Sequence, residues 1–161
     1  TGHTDAAGYC LVASATRDGM RLISVVMGTR SEGARAQETQ KLLTYGFRFF
    51  RTAEPFQGDT ELYSARVWGG KVKTLSLGLV ENLTLTIARG TEDALTTKLN
   101  IDPTIKAPIQ VGQTLGELVV YIAGEEVVRK PLIALHEVKR AGFFARIWDN
   151  ILLLLSNLFS L

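Results

Sequence analysis

The pattern of apolar and polar residues divides the chain into three zones, and the first zone begins with two strands. Residues 9–16 and 20–27 are largely apolar stretches with the composition of strands. The dipeptide Asp18-Gly19 lies between them, and an Asp-Gly pair in this position is typical of a tight hairpin turn. We therefore predict a β-hairpin near the start of the chain.

A helix is predicted directly after this hairpin. Ser31 suits the N-cap position, and Glu32 places a carboxylate at the positive end of the helix dipole. Two strands and one helix bury too little apolar surface to be stable alone, so residues 1–52 are expected to be the last part of a larger α+β domain. The helix is expected to extend to about residue 50, with one face formed by Ala36, Gln40, Leu43, Phe47 and Phe50.

The second zone, residues 53–138, has the pattern of a small all-β, sandwich-like domain. A polar segment that ends in a proline, residues 51–55, is expected to be the linker that leads into it. Leucine and isoleucine alternate with threonine over residues 83–87, which is the period of a half-buried strand. Two further apolar stretches flank Ala123-Gly124-Glu125 and predict a second hairpin.

The third zone, residues 139–161, is predicted to be an amphipathic helix. Its longest unbroken apolar run is residues 151–155, much shorter than the roughly 20 residues of a membrane-spanning helix. Basic residues near its start favour an interfacial membrane anchor, while a core helix packed on the β domain is the alternative. The residues expected to contact the membrane are Phe143, Phe144, Ile147, Trp148, Ile151, Leu155, Leu158 and Phe159.

Composition excludes several classes of function. The chain has 161 residues, with 18 Lys and Arg against 16 Asp and Glu, and this balance argues against a nucleic-acid-binding protein. A single cysteine cannot form an internal disulfide, and one cysteine with two histidines argues against a structural zinc site, so no metal or cofactor is expected. Cys10 is interpreted as an inert thiol in an apolar strand, and His136 as a structural residue.

The order of motifs along the chain resembles one family. Residues 1–15, which begin Thr1-Gly2-His3, resemble the third active-site motif, Lys-Thr-Gly, of the low-molecular-mass penicillin-binding proteins, the serine D-alanyl-D-alanine carboxypeptidases. Residues 41–50 resemble the helix with which that catalytic domain ends, and the all-β zone and residues 142–149 resemble the family's C-terminal domain and anchor. The chain starts just after the expected lysine and has no initiator methionine, so we expect it to be a C-terminal fragment.

The resemblance implies a substrate-binding role for four residues. The Thr1 hydroxyl would bind the terminal carboxylate of the substrate, Gly2 would leave room for the peptide, and the His3 backbone N–H would donate to the oxyanion. Arg35 matches an arginine close to the carboxylate subsite, where a guanidinium suits a carboxylate. The alternatives are a plain turn at residues 1–3 and a solvated helix arginine at Arg35.

The nucleophilic part of the machinery has no counterpart in this sequence. No serine is followed three residues later by lysine, and none is followed two residues later by asparagine, so no catalytic residue is assigned. The family is anchored on the periplasmic face of the bacterial cytoplasmic membrane. By resemblance, the intact parent would be a periplasmic enzyme there that removes the terminal D-Ala from peptidoglycan stem peptides through a seryl acyl-enzyme.

β-Lactams would acylate the same serine of the parent, and the fragment itself is expected to be inactive. Two other functions are weighed against this one. The first is a non-catalytic β module that docks to a membrane or a protein. The second is a β-lactamase-like enzyme, which would normally end with its catalytic domain.

Overall fold

A computed structural model describes residues 1–142 of the chain, and the predicted C-terminal helix with its anchor residues lies outside this range. The described part divides into two compact units. The first comprises Thr1–Ala53 together with Thr84–Glu92, and the second comprises Glu54–Leu83 together with residues 93–142. In chain order the elements are β1 (Gly2–Thr4), β2 (Gly8–Arg17), β3 (Met20–Thr29), α1 (Glu32–Phe49), β4 (Phe50–Phe56), β5 (Tyr63–Trp68), β6 (Thr74–Gly78), β7 (Leu83–Ala88), β8 (Leu95–Ile101), β9 (Ile105–Lys106), β10 (Thr114–Ile122) and β11 (Glu125–Ala134).

The first unit contains a three-stranded antiparallel sheet in the order β1-β2-β3. The predicted hairpin joins β2 to β3, and its two turn residues both have positive φ, 49° at Asp18 and 77° at Gly19. This backbone conformation is the one that an Asp-Gly hairpin turn requires. The hairpin prediction is confirmed.

Helix α1 begins where the sequence predicts. The Ser31 side chain accepts a hydrogen bond from the backbone N–H of Ala34 at 3.1 Å, which satisfies one of the free N–H groups at the helix start. The expected buried face is only partly right, because Thr39 and Phe47 are buried whereas Ala36 and Gln40 are exposed. The helix packs on β3 and β2, and this contact selects a face displaced by one residue toward Thr39.

The segment predicted as a linker is a strand. Residues 51–55 lie within β4, which forms a two-stranded sheet with β7. Pro55 is tolerated there because it stands next to the last residue of a strand with a single neighbour, where one side of the backbone needs no partner. The segment is therefore a paired strand and not an irregular connection, while the boundary between the two units, from Ala53 to Glu54, lies inside it.

The second unit is built on a six-stranded sheet in the order β8-β10-β11-β6-β5-β9. The predicted hairpin of β10 and β11 turns at Ala123 and Gly124, whose φ values of 51° and 85° fit a two-residue turn. Leu75 and Leu77 of β6 are completely buried and belong to the core of this unit. The mostly-β class expected for this region is confirmed.

Candidate functional site

Residues 2–4, which include two of the four candidate residues, form an edge strand. Among the described residues, β1 pairs only with β2, in the antiparallel register Gly2 with Cys10, His3 with Tyr9 and Thr4 with Gly8. Thr1 precedes this strand, and all four residues from Thr1 to Thr4 are exposed. An edge strand presents unpaired backbone donors and acceptors in a row, which is how an extended peptide can be bound. The alternative of a plain turn at residues 1–3 is wrong.

Gly2 occupies open space. A Cβ atom built at Gly2 meets no heavy atom within 4 Å, and its φ lies outside the left-handed region that favours glycine. Nothing in the described part of the chain therefore requires a glycine at this position. The free volume beside Gly2 is available to a ligand that approaches the strand closely.

The short connection from β1 to β2 has specific requirements of its own. The Thr4 hydroxyl accepts a hydrogen bond from the backbone N–H of Ala7 at 3.0 Å. Gly8 has φ +65°, and a Cβ atom there would lie 3.0 Å from the carbonyl oxygen of Thr29. Together these contacts fix where β1 turns back and therefore where Thr1 and Gly2 lie along β2.

Arg35 connects the helix to the edge strand. Its Nη1 atom donates to the carbonyl oxygen of Gly2 at 3.3 Å and to that of Cys10 at 3.4 Å, and its Nη2 atom forms an ion pair with Glu32 at 2.8 Å. The Arg35 side chain is only 12% exposed. The alternative of a solvated helix arginine is therefore wrong.

Two residues that the sequence analysis did not assign to this site, Tyr9 and Glu32, complete the arrangement. The Tyr9 ring lies against the His3 ring with centroids 3.9 Å apart, and the Arg35 guanidinium lies 5.7 Å from the Tyr9 centroid. Glu32 holds the other side of the same guanidinium. The spacing of Glu32 and Arg35, three residues apart on a helix, is a signal that the sequence offered. The pairing of Tyr9 with His3 depends on strand register and had no local signal.

The remaining candidate residues do not converge on a second site. Cys10 is half-buried with its Sγ atom 3.6 Å from the carbonyl oxygen of Ala7, and His136 is exposed rather than part of a core. Within residues 1–142, no three His, Cys, Asp or Glu side chains are grouped so that they could hold a metal ion. In the same range no helix has the length and apolar character needed to cross a bilayer.

Comparison with known families gives two matches that follow one another along the chain. Residues 1–31 match the family described as D-alanyl-D-alanine carboxypeptidase. Residues 50–140 match the family described as the C-terminal domain of penicillin-binding protein 5. The first match contains β1 with its candidate residues, and the second contains the strands of the second unit.

Curated relatives and solved structures agree with these matches. D-alanyl-D-alanine carboxypeptidase DacC of Escherichia coli (strain K12) is 41% identical over 154 residues, which are 95% of this chain and 38% of the relative. DacA of the same organism is 42% identical over 160 residues, which are 99% of this chain and 40% of the relative. The chain thus spans about two fifths of the length of these curated relatives.

The structure of penicillin-binding protein 5 from Haemophilus influenzae superposes with a TM-score of 0.77 at 35% identity, covering 86% of this chain and 41% of that one. The carboxypeptidase DacD from Francisella tularensis superposes with a TM-score of 0.64 at 34% identity, covering 87% of this chain and 35% of that one.

Proposed function

The chain belongs to the penicillin-binding protein 5 family of D-alanyl-D-alanine carboxypeptidases, and from this premise we propose that it is the C-terminal part of such an enzyme. In the whole protein, a serine outside this chain attacks the peptide bond between the two terminal D-Ala residues of a peptidoglycan stem peptide. The C–N bond breaks, the terminal D-Ala leaves, and water hydrolyses the seryl ester. A β-lactam acylates the same serine. This chain supplies the strand that holds the substrate.

The observation that carries the proposal is the open edge of β1. An extended peptide laid along this edge meets backbone groups that alternate in direction, as in any antiparallel pair. The His3 backbone N–H donates to the oxyanion, and the Thr1 hydroxyl donates to the terminal carboxylate. The empty space beside Gly2 admits the peptide at close range.

Arg35 supports this edge in two ways. Its hydrogen bonds to the carbonyl oxygens of Gly2 and Cys10 hold β1 against β2. Its positive charge also lies next to residues 1–3, where it favours a bound carboxylate. Glu32 pairs with the same guanidinium and keeps it oriented toward the strand.

The C-terminal residues are the basis for a second part of the proposal, which concerns where in the cell the protein is located. We propose that residues 143–161 form an amphipathic helix that binds the periplasmic face of the cytoplasmic membrane through the eight apolar residues named above. Burial of each Leu, Ile or Phe side chain in the interface contributes roughly 1.5 to 3 kcal/mol. The strands of the second unit, whose core includes Leu75 and Leu77, come before this segment in the chain.

A chimera tests the enzymatic proposal. The part of DacA, the 42% identical relative, that precedes its equivalent of Thr1 is fused to the start of this chain. The release of D-Ala and the labelling by a fluorescent penicillin are then measured. We expect the chimera to be active and labelled, and the 161-residue chain alone to be neither. Gly2→Val should lower kcat/KM of the chimera by on the order of 10²-fold, because the added side chain displaces the peptide.

Three results would contradict this assignment. One is a chimera that unfolds cooperatively but is neither labelled nor active. Another is covalent labelling of the chain by itself. The third is an unchanged kcat/KM for Gly2→Val in a chimera that is otherwise active.

Liposome flotation tests the anchor. Leu155→Asp places a charge on the proposed apolar face, and Asn157→Asp places the same charge on the polar side of the helix. We expect the first variant to lose vesicle binding and the second to keep it. Equal binding by both variants would contradict the anchor and would favour a docking function of the β domain alone.

A further inference from the structure

A cleft of about 200 Å³ in the first unit is lined by three arginines that the proposed function does not use. Arg17 comes from the end of β2, Arg51 from β4, and Arg89 from the residue that follows β7. Arg17 is seven residues along β2 from Cys10, so roughly 20 Å of strand separate this cleft from the residues that pair with β1. The cleft is therefore distinct from the open edge of β1 that is proposed to bind the substrate.

The guanidinium groups of the cleft are only partly occupied by protein acceptors. Arg17 lies over the Phe47 ring, 4.8 Å from its centroid, and within residues 1–142 no side-chain or backbone oxygen accepts a hydrogen bond from its guanidinium. Arg51 uses Nη1 for an ion pair with Glu92 at 3.1 Å and stays 44% exposed. Arg89 uses Nη2 for the carbonyl oxygen of Phe47 at 3.5 Å. Several N–H donors of all three residues remain directed at no protein acceptor.

One of the three arginines, Arg89, has a role in stabilising the fold. Arg89 compensates the negative end of α1, since its backbone N–H donates to the carbonyl oxygen of Phe49 at 2.9 Å and its side chain reaches Phe47. Arg17 and Arg51 do not donate to the helix end. Helix capping therefore explains one of the three arginines, while the contacts of Arg17 with Phe47 and of Arg51 with Glu92 leave most guanidinium N–H groups of these two residues without a protein acceptor.

The charge balance of the cleft favours an anion. Three guanidinium groups line the cleft with one carboxylate, that of Asp18, and a second carboxylate, that of Glu92, pairs with Arg51. The buried side chains of Met20 and Phe47 form apolar walls, which strengthen electrostatic interactions relative to open water. An anion with several acceptor oxygens would pair the free guanidinium donors and also offset their positive charge, which a neutral ligand would not do.

We propose that this cleft binds a phosphate group. A carboxylate offers two oxygens in one plane and is matched by a single bidentate arginine, whereas a phosphate offers acceptors in several directions and suits guanidinium groups from separate segments. The volume of about 200 Å³ exceeds the roughly 30 Å³ of one water several times, so it holds a phosphate with its remaining hydration. The phosphate belongs either to a soluble phosphate compound or to a lipid headgroup.

Two variants of opposite expected effect test the proposal on the full 161-residue chain, with inorganic phosphate as the probe. Binding is followed by NMR of the arginine Nε–H signals at constant ionic strength. Arg17→Gln should weaken phosphate binding about fivefold, since one charge pair is lost. Asp18→Asn should tighten it about two- to fivefold, because asparagine keeps the positive φ of 49° while the opposing charge is removed.

A control variant and vesicles complete the design. Arg30→Gln removes one exposed positive charge outside the cleft and should leave phosphate binding unchanged. Vesicles of phosphatidylglycerol distinguish the two sources: weaker flotation of Arg17→Gln than of the unaltered chain assigns a lipid phosphate, and equal flotation assigns a soluble phosphate compound.

The proposal is overturned in any of three cases. The unaltered chain shows no shift of the Arg17 or Arg51 signals with phosphate, Arg17→Gln binds as well as Arg30→Gln, or Asp18→Asn leaves the affinity unchanged. Melting curves of each variant confirm that the comparison is made between folded proteins.

Discussion

The guanidinium of Arg35 in α1 donates a hydrogen bond across 3.3 Å to the carbonyl oxygen of Gly2 in the edge strand. Residues that are 33 positions apart in the sequence are thereby joined at the proposed substrate edge. The same guanidinium also reaches Cys10 on the neighbouring strand. The position of β1 therefore depends on the helix as well as on β2.

Arg35→Ala should loosen β1. Loss of the charge-assisted hydrogen bonds is expected to lower the free energy of unfolding by about 1.5 to 3 kcal/mol and to speed amide exchange in residues 2–4. Urea unfolding and hydrogen exchange measure both effects. Lys41→Ala is the matched control, because it removes the cation of an exposed i,i+3 pair with Glu38 and should cost less than about 0.5 kcal/mol. Equal effects of the two substitutions would contradict the role assigned to Arg35.

Gly116→Ala should destabilise the second unit, although alanine is ordinarily a mild substitution. A Cβ atom built at Gly116 lies 2.6 Å from the carbonyl oxygen of Asn100 and 3.0 Å from the Cα atom of Ile101 on the adjacent strand. Both neighbours are backbone atoms that cannot rotate away, so a loss of about 1 to 3 kcal/mol is expected in urea unfolding. Gly2→Ala, in open space, should change stability by less than about 0.5 kcal/mol.

Glu117 should make the second unit sensitive to acid. Hydrogen bonds from Arg129, and then from Asn100, hold the pKa of its carboxyl below the ordinary value of about 4.3. The stabilisation of the folded state by ionised Glu117 is therefore complete at pH values above the ordinary pKa of about 4.3. It is lost as the pH falls through the lowered pKa of the folded state. Glu117→Gln should be less stable than the unaltered chain at pH 7, and the difference should shrink as the pH falls below about 4.

Denaturant unfolding at both ends of this pH range provides the measurement. Glu125→Gln, at the exposed first residue of β11, is the control because it leaves the hydrogen bonds of Glu117 to Arg129 and Asn100 in place, and its effect at pH 7 should be smaller than that of Glu117→Gln. A difference for Glu117→Gln that does not depend on pH would contradict the role of its ionised form.

The face of the β2–β3 hairpin opposite α1 should cause self-association of the chain. Four of its apolar side chains are between 58% and 74% exposed, namely those of Val12, Ile23, Val25 and Met27. Contiguous exposed apolar surface promotes association. Sedimentation velocity should show larger species at higher concentration, and Val25→Lys with Met27→Lys should raise the dissociation constant by about tenfold or more.

Leu42→Lys is the control for this surface. Leu42 is 50% exposed on α1, so its replacement should not change the association through the sheet face. A chain that is monomeric at all concentrations would contradict the prediction, and so would equal effects of Leu42→Lys and the double substitution.

Sequence signals that act over a few residues predicted the structure correctly. Asp18-Gly19 and Ala123-Gly124 form the turns of the two hairpins, and Ser31 caps α1. In each case the outcome depends on the φ preference of one or two residues, or on a hydrogen bond that spans three positions. Neighbours distant in the sequence do not alter such preferences.

Predictions that depended on distant partners were less successful. Residues 51–55 were expected to be a linker, but they pair with β7, about thirty positions later. The sequence around Gly116 gave no signal of its close packing in β10, where the backbone of Asn100 leaves no room for a side chain. The buried face of α1 was displaced because contact with the sheet, rather than weak helical periodicity, selected it.

The sequence by itself determined the family, the hairpins, the helix start and the candidate residues Thr1, Gly2, His3 and Arg35, because motif order and local backbone preference are properties of consecutive residues. The tertiary structure decided that Arg35 holds the edge strand, that Gly2 lies in open space, and that Arg17, Arg51 and Arg89 share a cleft. These relationships join segments brought together by strand register and helix packing, and no local preference contains that information.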